Sequence, residues 1–271
     1  MNLLVWSAAY LALGAFAGFF AGLLGIGGGL VLVPALTLIF SAQAAFSPDA
    51  ALHLALGTSM ASIIFTAAAS LRTHHEHGAV RWDIFRRITP GILLGTAFGA
   101  AIASRVPSRP LGVFFAAFVC FVALQMALNL KPKPSRELPG AGAVGGVGFA
   151  IGTLSALVAI GGGAMTVPFL TWCNIRVQNA IGTSAAVGLP IALGGTAGYI
   201  FNGWNQPDLP AGSLGFVYLP ALAVLVLASM LTAPVGAKLA HRLPVATLKR
   251  VFAGLLIGLA AKMVWGLFSA P

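Results

Sequence analysis

Acid is scarce in this sequence. Its 271 residues include five carboxylates, Asp49, Glu76, Asp83, Glu137 and Asp208, and each falls between apolar runs. A proton relay or cation site at membrane depth is ordinarily built on an ionisable group held inside the span. Proton-coupled antiport through an acid and a cationic substrate are therefore both disfavoured. The same scarcity argues against acid–base catalysis, for which the candidates reduce to His74, His75 and His77 beside Glu76, read as a solvated basic loop. Cysteine is nearly absent too. Cys120 and Cys173 both sit in apolar runs, which suggests neither a disulfide framework nor a metal site.

Charge of any kind is scarce. Only 7 % of residues are charged and 59 % are hydrophobic, with mean hydropathy +0.97. A soluble domain carries about 25 % charged residues, so the chain reads as an integral membrane protein. Its net charge of +10 does not mark a nucleic-acid binder, because the basic residues sit in short loops between apolar runs, as the positive-inside rule produces. No basic stretch precedes the first apolar run, which reads as a spanning helix and not a cleaved signal.

What is present is ten apolar segments, at roughly 3–24, 28–40, 51–71, 84–104, 111–130, 140–160, 163–174, 180–201, 215–237 and 249–268. Most approach the roughly 20 residues needed to cross a bilayer. The segments 28–40 and 163–174 are too short to span comfortably. Asn202, Trp204 and Asn205 read as loop residues. The expected fold is all-α: a single polytopic membrane domain over 1–271, with repeat 1 at 1–130, a cytoplasmic linker at 131–139 and repeat 2 at 140–271.

The repeat is carried by glycine. Leu23-Leu24-Gly25-Ile26-Gly27-Gly28-Gly29, with Pro34 beyond, is echoed by Leu157-Val158-Ala159-Ile160-Gly161-Gly162-Gly163 with Pro168. Aligning 14–36 with 148–170, an offset of 134, gives ten identities in 23 positions. Gly57-Thr58-Ser59 then matches Gly182-Thr183-Ser184 at an offset of 125, and Gly99, Arg105, Pro107 and Met126 match Gly236, Arg242, Pro244 and Met263 at 137. The offsets change only in loops. If all ten segments cross, twelve basic residues fall on the inside, among them Arg72, Arg81, Arg86, Arg87, Arg136 and Arg176. Two, Arg105 and Arg109, fall outside. Five crossings per half is odd, so the halves are expected to be inverted repeats, with both termini outside.

Glycine in a helix interior costs about 1 kcal/mol relative to alanine, so three together are expected to break a membrane helix. Non-helical backbone at that depth is tolerated where it is buried or lines a cavity, and breaks at matching places of two halves point to a transporter's binding site. A helix that starts just after the triplet offers free N–H groups and a positive dipole end to an anion. The ladder Gly14, Gly18, Gly22 reads instead as close helix packing. The hydroxyls of Thr58, Ser59, Thr183 and Ser184 can donate to an anion or bond back to the preceding turn. Lys262 is the one basic residue inside a span. It is a candidate anion partner by default, against the alternative that it snorkels to its helix end.

These paired Gly-x-Gly-Gly-Gly…Pro segments and Gly-Thr-Ser motifs resemble those of the sulfite exporter TauE/SafE family, also called the 4-toluene sulfonate uptake permease family. The resemblance runs over nearly the whole chain. It implies a multi-pass permease of the bacterial inner membrane for sulfur-containing anions such as sulfite, thiosulfate or sulfoacetate. It also implies substrate-binding positions at Gly27, Gly28, Gly29, Thr58, Ser59, Gly161, Gly162, Gly163, Thr183 and Ser184. Ala159 departs from the pattern by replacing a glycine, which implies a less open second break. The leading expectation is therefore export of a sulfite- or sulfonate-like anion by alternating access, with thiosulfate uptake as an alternative. A passive pore, a membrane enzyme or a scaffold are the competing classes. No cofactor, metal ion or catalytic residue is expected. The expected partners are the anion and the lipid bilayer, with a second copy of the chain left open.

Overall fold

The computed structural model describes residues 3–24, 28–128, 135–207, 209–240 and 245–269. Among the described residues the chain forms ten helices and one small hairpin: α1 (Leu3–Leu24), α2 (Gly29–Ser41), α3 (Pro48–Glu76), α4 (Trp82–Ala103), α5 (Ser108–Ala127), α6 (Ala141–Val158), α7 (Gly163–Trp172), α8 (Val177–Gly203), β1 (Ser213–Leu214), β2 (Val217–Tyr218), α9 (Leu219–Ala240) and α10 (Val245–Ser269). Five of them, within α3, α5, α6, α8 and α9, are long and apolar enough to cross a membrane. Leu94, Phe121, Phe201, Leu227, Leu231 and Trp265 are between 63 % and 82 % exposed. Apolar surface of that extent is what lipid covers and what water-soluble monomers avoid. This is an all-α, multi-pass membrane protein.

The helices follow the apolar segments closely, with three differences. The stretch 72–76, expected as loop, is the last turn of α3. An Arg72–Glu76 ion pair of 3.1 Å spans that turn, and the helix ends only where Gly78 takes φ 63, as a left-handed glycine commonly does. The segment expected from 215 starts as a helix only at Leu219, because β1 and β2 pair around Gly215, φ 54. Asn202 also belongs to α8, where its side-chain amide donates to Gly198 O at 2.7 Å.

α3 and α8 cross at the centre, with 61 % and 56 % of their apolar windows buried, against 33 % to 39 % for α5, α6 and α9. Around this pair, α1 packs on α9, α4 on α6 and α5 on α10, while α2 lies on α3 and α7 on α8. Glycine permits the tightest seams. A Cβ at Gly91 or Gly95 would overlap the carbonyl oxygens of Gly145 and Phe149, so α4 and α6 meet backbone to backbone, the arrangement small residues allow between membrane helices. Gly14 and Gly18 of the expected packing ladder press in the same way on Leu225 and Ser229 of α9, and Gly148 and Gly152 on Ile88 and Ile92 of α4.

Two loops are clasped across the halves. The hydroxyl oxygen of Thr58 accepts from Tyr218 N–H at 3.0 Å, and that of Thr183 accepts from Arg81 N–H at 3.0 Å. Beside them, Gly57 abuts the Phe216 carbonyl and Gly182 the Ala79 carbonyl. Thr58→Val removes the acceptor of a part-buried N–H, which costs about 1–3 kcal/mol. The expected result is a lowered unfolding midpoint in detergent, restored by Thr58→Ser.

Candidate functional site

The helix breaks position the site. α1 ends at Leu24 and α2 begins behind Gly28, whose φ of 74 only glycine adopts without strain. α6 ends at Val158, and α7 begins at Gly163 behind Ala159, a fully buried alanine held at φ 46. A left-handed alanine costs on the order of 1 kcal/mol or more, so the surrounding packing fixes this turn. The two breaks touch: a Cβ on Gly29 would overlap the Ala159 carbonyl oxygen.

The two triplets then differ. Gly28 and Gly29 are buried, as are Gly161 and Gly162, but Gly29 is closed off by Ala159, while Gly27 lies outside the described residues. Gly161, Gly162 and Gly163 instead line a crevice of about 430 Å³, together with Ser184 of α8. Among the described residues it is the second break that lines a sizeable space, contrary to the expectation drawn from Ala159. The turn at Ala159 packs toward Gly29 and leaves the triplet behind it facing the void.

α7 supplies the polar end of this crevice. Its first helical hydrogen bond runs from Thr166 N–H to Gly162 O, 2.8 Å, so the N–H groups ahead of Thr166 have no acceptor within the helix. The Ser184 hydroxyl, 2 % exposed, and the Thr166 hydroxyl, fully buried, have no hydrogen-bond partner among the described residues. A Cβ at Gly162 would sit 3.2 Å from Thr166 Oγ1, which places that hydroxyl against the same backbone. An unmet buried hydroxyl costs about 1–3 kcal/mol. Donors and a dipole end thus converge on an unfilled space.

One wall is a polar stripe on α3: Thr66, Ser70, Thr73 and His74. They recur at three- and four-residue spacing, so they share one helix face. The opposite wall is apolar, with Met230, Ala233 and Pro234 of α9. The crevice leads toward the last turn of α3, where His75 meets the Trp82 ring edge-on at 5.4 Å. No arginine, lysine or carboxylate lines it among the described residues, and no cluster of metal-ligating side chains occurs there either. The arrangement suits recognition of a small anion by N–H and O–H groups and not by a fixed cation.

The remaining expected positions lie elsewhere. The Thr58 and Thr183 oxygens are taken up by the clasped loops, and Ser59 is fully buried with no partner among the described residues. Lys262 is exposed on α10 and does not line the crevice. His53 escaped the sequence reading. It is buried, with Nδ1 3.1 Å from Asp49 O and Nε2 3.0 Å from Ala103 O and 3.1 Å from Val106 O, and it ties the start of α3 to the turn between α4 and α5. The α3 stripe also escaped. Its signal was hydroxyls at helical spacing with no counterpart in the second half, where Ile191, Gly195, Gly198 and Tyr199 stand.

Comparison with known proteins is consistent with this architecture. The family model described as "Sulfite exporter TauE/SafE" matches residues 10–263. A probable membrane transporter protein of Haemophilus influenzae is 38 % identical over 257 residues, covering 93 % of this chain and 96 % of its own length. The probable membrane transporter protein YdhB of Bacillus subtilis is 26 % identical over 239 residues, 86 % of this chain and 89 % of that one. MJ0441 of Methanocaldococcus jannaschii, another probable membrane transporter protein, is 26 % identical over 246 residues, 85 % of each chain. No solved structure matches.

Proposed function

This chain belongs to the sulfite exporter TauE/SafE family, and on that premise we propose that it carries a small sulfur-containing anion, sulfite or an organosulfonate, across the cell's inner membrane by alternating access between two inverted repeats. The observation that carries the proposal is the crevice in which the α7 N-terminus and the unpartnered Ser184 hydroxyl meet. A helix N-terminus bears about half a positive charge and needs no counter-ion to favour an anion. A volume of about 430 Å³ falls within the usual range of ligand sites.

With the basic loops inward, the crevice opens to the cytoplasm beside the Arg72–Arg87 stretch, and both termini lie outside. A monoanion leaving a cell that is negative inside gains roughly 2.3 kcal/mol per 100 mV. Export therefore requires no coupling ion, in keeping with a crevice lining that holds no carboxylate among the described residues. The anion enters from the arginine-rich face, exchanges its water for the N–H groups ahead of Thr166 and the Ser184 hydroxyl, and leaves on the other face when the crevice closes.

The test is a thermal-shift and binding screen of the purified protein against sulfite, thiosulfate, sulfoacetate, sulfate and phosphate. Saturable stabilisation by sulfite or sulfoacetate and not by phosphate is expected. Stabilisation by none of the five would overturn the substrate assignment. Ser184→Ala sharpens the test, because its two effects are opposite in sign. Loss of a hydrogen bond to a charged ligand weakens binding by about 1.5–3 kcal/mol, roughly ten- to a hundredfold. The unliganded protein, relieved of an unmet hydroxyl, unfolds at the same temperature or higher.

A further inference from the structure

Exchanging the two halves by the repeat offsets maps the open crevice onto a second set of residues. Ser184 corresponds to Ser59, Ala21 to Ser155, Ala69 and Thr73 to Gly194 and Gly198, Ala233 to Thr96 and His74 to Tyr199. That second set is closed. A Cβ on Gly194 would overlap Thr96 Oγ1, and one on Gly198 would stand 2.6 Å from the Ala100 Cβ. Tyr199 is fully buried and donates to Ala156 O at 2.8 Å. α8 lies flat on α4 where the corresponding pair, α3 and α9, is parted by the crevice.

The closed set nevertheless keeps the polar atoms of a binding surface. Ser59 and Ser155 are fully buried, and neither hydroxyl has a hydrogen-bond partner among the described residues. Ser59 and Ser184 are repeat counterparts, and both hydroxyls are unmet among the described residues: Ser184 belongs to the crevice lining, and Ser59 is shut inside the protein. A buried hydroxyl that never meets a partner is worth less than the methyl of alanine in its place. One that is exposed for part of a cycle has a use.

We propose that Ser59 and Ser155 line a second vestibule on the opposite face of the protein, closed in this structure, which opens as α8 parts from α4 and α3 closes on α9. Ser155 is then a further residue that contacts the anion, on the exit side. The proposal rests on the transport reading above, and the Tyr199–Ala156 hydrogen bond is the tie that opening must break.

Thiol accessibility tests it without a substrate. In a background of Cys120→Ala and Cys173→Ala, Ser155→Cys is exposed in intact cells to a membrane-impermeant maleimide, and Thr73→Cys reports the crevice side. The expected result is labelling of S155C from outside and of T73C only in inverted vesicles, with Tyr199→Phe accelerating S155C labelling by removing the tie. Ser59→Cys is the second reporter should S155C be poorly expressed. If S155C and S59C react fully after denaturation but never in cells, with or without Tyr199→Phe, the vestibule is overturned. Labelling as expected together with a silent anion screen would sink the sulfite reading and support the vestibule. The converse pair of results would do the reverse.

Discussion

Gly162→Leu is expected to abolish saturable anion binding while leaving an extractable, folded protein. A Cβ at this position meets only side-chain ends: Ile191 Cδ1 at 3.1 Å, Thr166 Oγ1 at 3.2 Å and Val187 Cγ1 at 3.2 Å. Such groups yield by a few tenths of an ångström, and the rest of the leucine has the crevice to enter. It then occupies the space in front of the α7 N–H groups, where no rearrangement of a rigid helix start can clear it. Binding in the screen falls below detection, and circular dichroism keeps the wild-type helix signal. Normal binding by the variant would remove the triplet from the site. Gly28→Leu is a different experiment, since φ 74 adds backbone strain of about 1–3 kcal/mol to any effect on the ligand.

Gly95→Val is expected to prevent folding altogether. Here the added carbon would land on the carbonyl oxygen of Phe149, with that residue's Cα and carbonyl carbon close behind. None of these is a flexible tip, so α4 and α6 must separate. Overpacking costs of 1–3 kcal/mol apply to cores that can adjust, and a backbone seam that cannot adjust costs more. The variant should yield no monodisperse protein in detergent. Gly146→Ala, one turn away from such contacts with nothing within 4 Å, should be neutral or stabilise by up to about 1 kcal/mol through helix propensity. Equal behaviour of the two variants would mean that the seam is not what glycine serves.

Much of this was legible in the residues. Apolar run length places α1 to α10, because a spanning helix has to satisfy its backbone internally and so writes its length into composition. Gly14 and Gly18 of the α1 ladder read correctly as packing, since small residues at four-residue spacing fall on one face, while the surroundings of Gly22 lie outside the described residues. Two things were not legible. Nothing in two matching triplets says which one opens. The polar wall of α3 was missed for a related reason. Thr66, Ser70 and Thr73 carry no charge and have no echo in α8, so neither a tally of ionisable groups nor a search for repeats touches them. Lys262 drew attention as the lone cation in a span, yet its helix turns it to the exterior, where a long stem can carry the ammonium to the interface.

The reciprocal clasp has a consequence for how the molecule can be divided. Thr58 holds the loop that opens α9, and Thr183 holds the loop that opens α4, so each half completes the other's connection and neither completes its own. A chain cut within the 131–139 linker loses no clasp, because both are made across the cut. The pieces 1–134 and 135–271, produced together, should therefore reassemble into a binding-competent pair, whereas either piece alone presents an unmet threonine and an unclasped loop to the lipid. Mixing a wild-type first fragment with a second carrying Thr183→Val would show whether one clasp suffices to hold two such pieces in register.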